Sequence, residues 1–282
     1  MRAMTDDRES ARAFVPGHVT GFFSVHDADD PEQAGSRGAG VTLSEGVTVD
    51  VEPAAETAMQ LNDEPAAIEA VTRVLDALDA EARVTARTDL PVGAGFGVSG
   101  ATALGTALAA NRAFDCERSA NELIALAHAA EVESGTGLGD VVAQARGGVP
   151  IRLDPGAPEY NRLDGVPAAG RIEYLTLGER STEAVLSGNT QRLSSVGVDM
   201  LVRLVETPTL PMLMDASREF AESADLLTPE VEGVLADVTA AGGEAAMAML
   251  GETVFALGTG LTDAGYDADA CEVHPAGATL RK

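Results

Sequence analysis

The residues best placed to do chemistry lie between Pro91 and Asn111, PVGAGFGVSGATALGTALAAN. Gly93, Gly95 and Gly97 alternate, and Ser99 and Gly100 then open a helix striped by Ala101, Leu104 and Leu108. Glycines let a backbone approach a ligand closely. The first N–H groups of a helix are unpaired and partly positive, so an anion such as phosphate sits well there. The segment has no GK[ST] and no helix at its first glycine, so it is neither a Walker loop nor a dinucleotide fingerprint. A ligand-free tight connection would show the same alternation.

Two further groups of residues could complete a site. Glu131 and Asp140 flank the bend Ser134–Gly139. One could hold a divalent cation and the other could orient or deprotonate an attacking hydroxyl, although most acids in so acidic a chain are solvated surface charges. Near the N-terminus, His18, Thr20 and Ser24 interleave with aromatics in FVPGHVTGFFS, and GSRGAG follows at residues 35–40. Together they could form a small-molecule pocket in which Ser36 and Arg37 meet a carboxylate. The alternative is a buried edge strand with a satisfied histidine and an internal Arg salt bridge.

The elements that position these residues read as mixed α and β. Val47, Val49 and Val51 alternate as in a strand, and Val84, Ala86 and Thr88 read as another. GSRGAG reads as a loop, and Asn62-Asp63-Glu64-Pro65 as a helix start for the Ile68, Val71, Leu75, Leu78 face. Ser119 and Glu122 make a capping box, Asp140 begins a short helix, and Val149-Pro150 enters a strand. The Pro-, Gly- and Asp-rich stretch from Asp154 to Gly170 divides the chain into domains of residues 1–160 and 161–282. Helices are expected near 182–206, 212–224 and 229–241, a hairpin around Gly251, and a strand near Cys271–His274.

Composition excludes several classes. A 282-residue chain that is 45% hydrophobic can build a real core. Net charge is −26, from 45 acids against 19 bases, of which Lys282 alone is lysine. That surface repels nucleic acid, and its balance resembles proteins of salt-loving archaea. No apolar run spans a bilayer and the N-terminus has no apolar signal core, so a cytoplasmic location is expected. Cys116 and Cys271 read as reduced thiols, and no metal-site spacing involves the histidines.

Together these segments resemble the GHMP kinases. PVGAGFGVSGA is similar to the family phosphate loop P-x-G-x-G-L-G-S-S-A-A. Phe14–Val19 is similar to its first motif, a short strand ending in Pro-Gly. Thr136–Asp140, TGLGD, resembles the S-G-x-x-D segment of the mevalonate-kinase-like branch, whereas Ala245–Leu257 is a poor match to the third motif. The ordered set most resembles the archaeal members that phosphorylate (R)-pantoate to (R)-4-phosphopantoate for coenzyme A synthesis.

The resemblance implies an α+β fold with a ribosomal-protein-S5-like N-terminal half and a ferredoxin-like C-terminal half. It implies ATP held by Pro91, Gly93, Gly95, Gly97, Ser99, Gly100 and Ala101, and Mg²⁺ held by Ser99 and Glu131. Asp140 takes the place of the catalytic base. His18 stands where that branch has a catalytic lysine, so it is expected to act on the alcohol or bind it. Pantoate would meet His18, Thr20, Ser36 and Arg37, the last two chosen for charge complementarity. The rival readings are a kinase for a homoserine- or mevalonate-like alcohol and a non-catalytic metabolite sensor. A homodimer remains open.

Overall fold

Two long antiparallel strands set the frame of the computed structural model, which describes residues 10–178, 190–249 and 251–281. β1 (Ala11–His26) pairs with β2 (Gly35–Pro53) along nearly its whole length. Val47, Val49 and Val51 are fully buried on one face of β2, as their alternation predicts.

Two expectations fail in this frame. β1 does not end at Pro16-Gly17; its register shifts between Pro16 and His18, and the strand continues to His26. GSRGAG is no loop but the first part of β2, paired with Thr20–His26. Its glycines are demanded by close packing. A Cβ at Gly38 would lie 2.2 Å from the Phe22 carbonyl, and one at Gly40 2.1 Å from that of Val19.

β3 (Ala58–Leu61) and β4 (Glu64–Pro65) form a hairpin, followed by α1 (Glu69–Ala77) and β5 (Ala82–Arg87). The expected helix start at 62–65 is therefore wrong. Asn62 and Asp63 have φ of 52° and 66°, the paired left-handed geometry of a tight hairpin turn that Asn and Asp tolerate.

α2 (Val98–Ala113), α3 (Ala120–Glu133) and α4 (Asp140–Arg146) follow. α2 packs on β1 and β2 and is buried on nearly all sides, which its run of alanines permits. The Ser119–Glu122 capping box opens α3. β6 (Val149–Asp154) pairs with the start of β2 and with β7 (Arg162–Val166). Next come β8 (Arg171–Gly178), α5 (Thr190–Glu206), α6 (Leu210–Ser223), α7 (Pro229–Ala240), β9 (Ala245–Ala248), β10 (Glu252–Leu257), α8 (Gly260–Asp263), β11 (Asp269–Glu272) and β12 (Thr279–Arg281). Residues 182–189, expected to begin a helix, lie outside the described residues.

Among the described residues the strands form two sheets. One runs β12-β1-β2-β5-β3-β4, with β6 and β7 branching from β2; the other runs β11-β8-β10-β9. The chain changes sheet between Val166 and Arg171, yet β12 returns to pair with β1. α5 and α6 pack against β1, and α6 also meets β9. One apolar cluster joins both sheets. The fold is thus α+β, and β1 is the strand on which the two halves meet. No helix among the described residues is long and apolar enough to cross a membrane.

Candidate active site

The glycine loop, residues 91–97, connects β5 to α2. Gly93, Gly95 and Gly97 have φ of 79°, 91° and 65°. Gly97 is the N-cap of α2 and offers no side chain to the first turn, so those N–H groups are left for a ligand. The loop is braced from several directions. The His18 N–H donates to the Phe96 carbonyl (3.0 Å) and the Gln144 side-chain amide to that of Gly97 (2.9 Å). The Thr253 hydroxyl of β10 donates to the Ala94 carbonyl (2.8 Å), and Tyr174 of β8 packs edge-on against Phe96 at 4.9 Å. Such bracing fixes the loop before any ligand arrives.

A cavity of about 430 Å³ opens over this loop, lined by Thr20, Ser99, Glu131, Thr136, Asp140 and Met249 as well as Gly93, Gly95, Gly97 and Gly100. A second hollow of about 550 Å³, beside α3, is lined by Arg73 and Arg118 together with Glu122, Glu133 and alanines, and holds none of the chemistry above. Over the loop, the Ser99 hydroxyl donates to Glu131 Oε1 at 2.6 Å. Glu131 is buried, and its carboxyl is pushed up to about 7; burial outweighs the hydrogen bonds from Ser99 and Thr136, and the nearby charge of Asp140 adds to it.

Asp140 opens α4 against the start of α2, with its Cβ 3.3 Å from where a Cβ at Gly97 would lie. His18 Nδ1–H donates to Asp140 Oδ1 at 2.7 Å, and the Thr20 hydroxyl lies 3.5 Å from the same ring nitrogen. Burial alone would raise the Asp140 pKa. The hydrogen bond from His18, with smaller contributions from the Arg152 charge and Thr20, reverses that and holds it below the usual range. The His18 imidazole is fully buried, and burial lowers its pKa despite Asp140. Its Nε2 has no partner and faces Gly40. A neutral ring donating through Nδ1 suits that setting, because a second N–H would be buried unsatisfied.

Behind Asp140 lies a residue that sequence reasoning missed. Arg152 of β6 is 1% exposed, and its Nε and Nη1 have no partner. Burial depresses its guanidinium to about 10, against the opposing pull of Asp140. It sits beside Ser36 and Gly139: a Cβ on Gly139 would lie 2.6 Å from Ser36 Oγ and 2.7 Å from Arg152 Nε. The signal was a lone cation in an otherwise apolar strand, Val149-Pro150-Ile151-Arg152-Leu153.

The structure therefore gathers Gly93, Gly95, Gly97, Ser99, Gly100, Thr20, Glu131 and Asp140 around one cleft. Pro91 opens the loop without lining the cleft, and Ala101 is buried within α2. Ser36 is buried, its hydroxyl donating to the Leu138 carbonyl at 3.3 Å. His18 stands behind Asp140 and does not line this cavity, its Nδ1 being taken up by the Asp140 carboxylate. Arg37 reaches Asp154 at 3.8 Å, both side chains 41% exposed, and does not line this cavity. The third-motif region, weak as a sequence match, supplies Met249 and the brace Thr253.

Residues 66–148 match the GHMP kinases N terminal domain. Pantoate kinase of Methanospirillum hungatei is 35% identical over 87% of this chain and 86% of its own length. That of Thermococcus kodakarensis is 36% identical over 87% of each chain. Among solved structures, a phosphotransferase related to the CoA biosynthesis pathway superposes with a TM-score of 0.87 at 30% identity, covering 97% of this chain and 99% of its own. Homoserine kinase from Cytophaga hutchinsonii shares the fold at a TM-score of 0.67 and 16% identity, over 100% of this chain and 99% of that one. With similarity of this extent, and with the phosphate-loop segment folded as an open helix N-terminus, the chain belongs to the pantoate kinase family of the GHMP kinases.

Proposed function

We propose that this cleft transfers the γ-phosphoryl group of ATP to the primary hydroxyl of (R)-pantoate, forming (R)-4-phosphopantoate on a cytoplasmic route to coenzyme A. The observation that carries this reading is the convergence of an ionised Asp140, an uncapped helix N-terminus and a buried, unpartnered Arg152. Phosphates would rest on the first-turn N–H groups of α2. The pantoate carboxylate would meet Arg152, whose two free nitrogens suit a planar anion. This replaces the role first given to Arg37.

The donor set fits Mg²⁺. Glu131 and the Ser99 hydroxyl supply hard oxygens at the phosphate end of the cleft, and Mg²⁺ commonly takes one or two carboxylates with the substrate's phosphates. When bound, it offsets charge on the transferring group. Asp140 orients the C4 hydroxyl and accepts its proton late, as the new P–O bond forms and the bond to the ADP oxygen breaks. His18 and Thr20 keep that carboxylate ionised and aimed. The rate then comes from positioning and electrostatics more than from strong basicity.

The test is ADP release by purified protein at high KCl with pantoate, homoserine or mevalonate as acceptor. Pantoate should be strongly preferred. Preference for either rival would overturn the substrate, and absence of turnover with every alcohol would favour a sensor.

A further inference from the structure

Resting on the phosphoryl-transfer reading, we propose that Gln144 is a positioning residue for that step: it locks the helix that carries Asp140 to the N-cap of α2. α4 has only seven residues, Asp140–Arg146. A helix that short is not held in place by its own propensity, so its contacts must set where Asp140 stands. Gln144 lies four residues after Asp140, on the same helical face. That face packs against the start of α2. A Cβ on Gly97 would lie 2.8 Å from the Gln144 amide nitrogen and 3.3 Å from Asp140 Cβ, and one on Gly100 would lie 3.2 Å from Val141 Cγ2.

The Gln144 side chain is fully buried, and its amide donates to the Gly97 carbonyl at 2.9 Å. That orientation leaves Oε1 buried with no partner, 3.3 Å from where a Cβ on Gly100 would sit. The reverse orientation would set two carbonyl oxygens face to face. The Gly97 carbonyl already accepts from the Ala101 N–H at 2.9 Å, so it is satisfied without the amide. A buried oxygen with no partner is costly. A side chain that carries this cost, for a bond the backbone does not need, contributes geometry more than stability. The Val141 contact is non-directional and lets α4 slide, whereas the amide bond fixes it. From the other side, the Ala278 N–H donates to the Gln144 main-chain carbonyl at 3.0 Å. His18 holds the Asp140 carboxylate from β1; Gln144 holds the helix beneath that carboxylate.

The experiment follows ADP release with pantoate, and thermal melting, in Gln144→Met, which keeps the length and removes the donor. Misplacing a reacting group by about 1 Å costs roughly 100-fold. His18 still holds Asp140 in this variant, so kcat should fall by about 10–100-fold. The KM for ATP should stay within about threefold, because Thr253 and His18 still brace the loop. The melting temperature should not fall. In an Asp140→Asn background the same substitution should lower kcat by less than about threefold, since residues that act as one unit are not additive. A kcat within about threefold of the wild type overturns the proposal. So does a full further loss in the Asp140→Asn background, which places the effect outside the base. A lower melting temperature with a matching rise in the KM for ATP makes Gln144 a brace of the fold and overturns it too. If Gln144→Met does not fold, Gln144→Leu, of similar volume, is read by the same outcomes, and failure of both to fold also overturns the proposal. A wild type that phosphorylates no alcohol refutes the phosphoryl-transfer reading itself, a result separable from these.

Discussion

Replacing Arg152 with methionine should move catalysis and stability in opposite directions. The guanidinium is buried with two nitrogens unpartnered, and burial depresses it from its ordinary value to about 10. At 1.36 kcal/mol per tenfold in proton affinity, that is about 3 kcal/mol of destabilised charge. Methionine has similar length and no charge, so it removes that desolvation cost, offset in part by the lost attraction between Arg152 and Asp140. In differential scanning fluorimetry without substrate, the Arg152→Met melting temperature should equal or exceed that of the wild type by a few degrees, about 2–4 °C per kcal/mol for a chain of this size. In the ADP-release assay the same variant should lose roughly 10²–10³-fold in kcat/KM for pantoate, as truncating one partner of a buried charge pair costs about 2–5 kcal/mol. The KM for ATP should move by less than about threefold. Pantoate should raise the melting temperature of the wild type and not of the variant, since only a ligand bound to the native state stabilises it. A large fall in stability with pantoate kinetics intact would show that Arg152 serves the fold and not the substrate.

Asp140→Asn should lower kcat by about 10³-fold or more while nucleotide binding, followed by a fluorescent ATP analogue, stays nearly intact; a loss under tenfold would remove Asp140 as proton acceptor. Glu131, held near 7, is protonated below that pH, and a cation needs the carboxylate, so Mg²⁺ affinity should fall about tenfold per unit as pH drops below 7 and level off above it. A flat pH profile would take Glu131 out of the metal site. The sign for folding runs the other way: with its native value raised, the metal-free protein holds a proton that the unfolded chain has lost, so stability should decline from the ordinary carboxyl range up to pH 7. Glu131→Gln should abolish that slope in thermal scans. With a net charge of −26, the melting temperature should climb as KCl is raised from about 0.1 M, where the screening length is ~10 Å, to 1 M, where it is ~3 Å; a falling melting temperature would mean that the acidic surface does not repel itself.

The glycine loop and the helix it opens were legible because everything that defines them lies within a dozen residues: alternating glycines, a serine, then alanines that tolerate burial. Glu131 and Asp140 were legible because a capping box and a glycine-rich bend bracket them. GSRGAG was misread because glycine has two uses. Local statistics treat it as a breaker, but here Gly38 and Gly40 let β1 and β2 approach more closely than any side chain allows. Arg37 was read with it as a loop residue reaching for a ligand, whereas it lies in β2 opposite Ser24. Arg152 was hidden by the opposite appearance, a cation inside a run of apolar residues. Only the pairing of β6 with β2 brings it to Ser36 and Asp140. His18 was found, but which side of Asp140 it occupies depends on the bulge at Gly17, which no pattern of residue types announces.

The position of Arg152 also bears on how a weakly basic aspartate can serve. In the free protein, Arg152 and His18 together hold Asp140 ionised and below its usual range, which keeps it ready to accept a hydrogen bond but makes it a poor proton acceptor. On the proposed reading, a substrate carboxylate on Arg152 would offset that guanidinium's share of the depression, which is smaller than the share of His18. If Arg152 holds the carboxylate, the anion to be recognised would also raise the affinity of Asp140 for a proton, while the hydrogen bond from His18 keeps that carboxylate aimed. An alcohol without the carboxylate would leave the Arg152 share of the depression in place, so recognition of a hydroxy acid and proton acceptance would be coupled at this one residue.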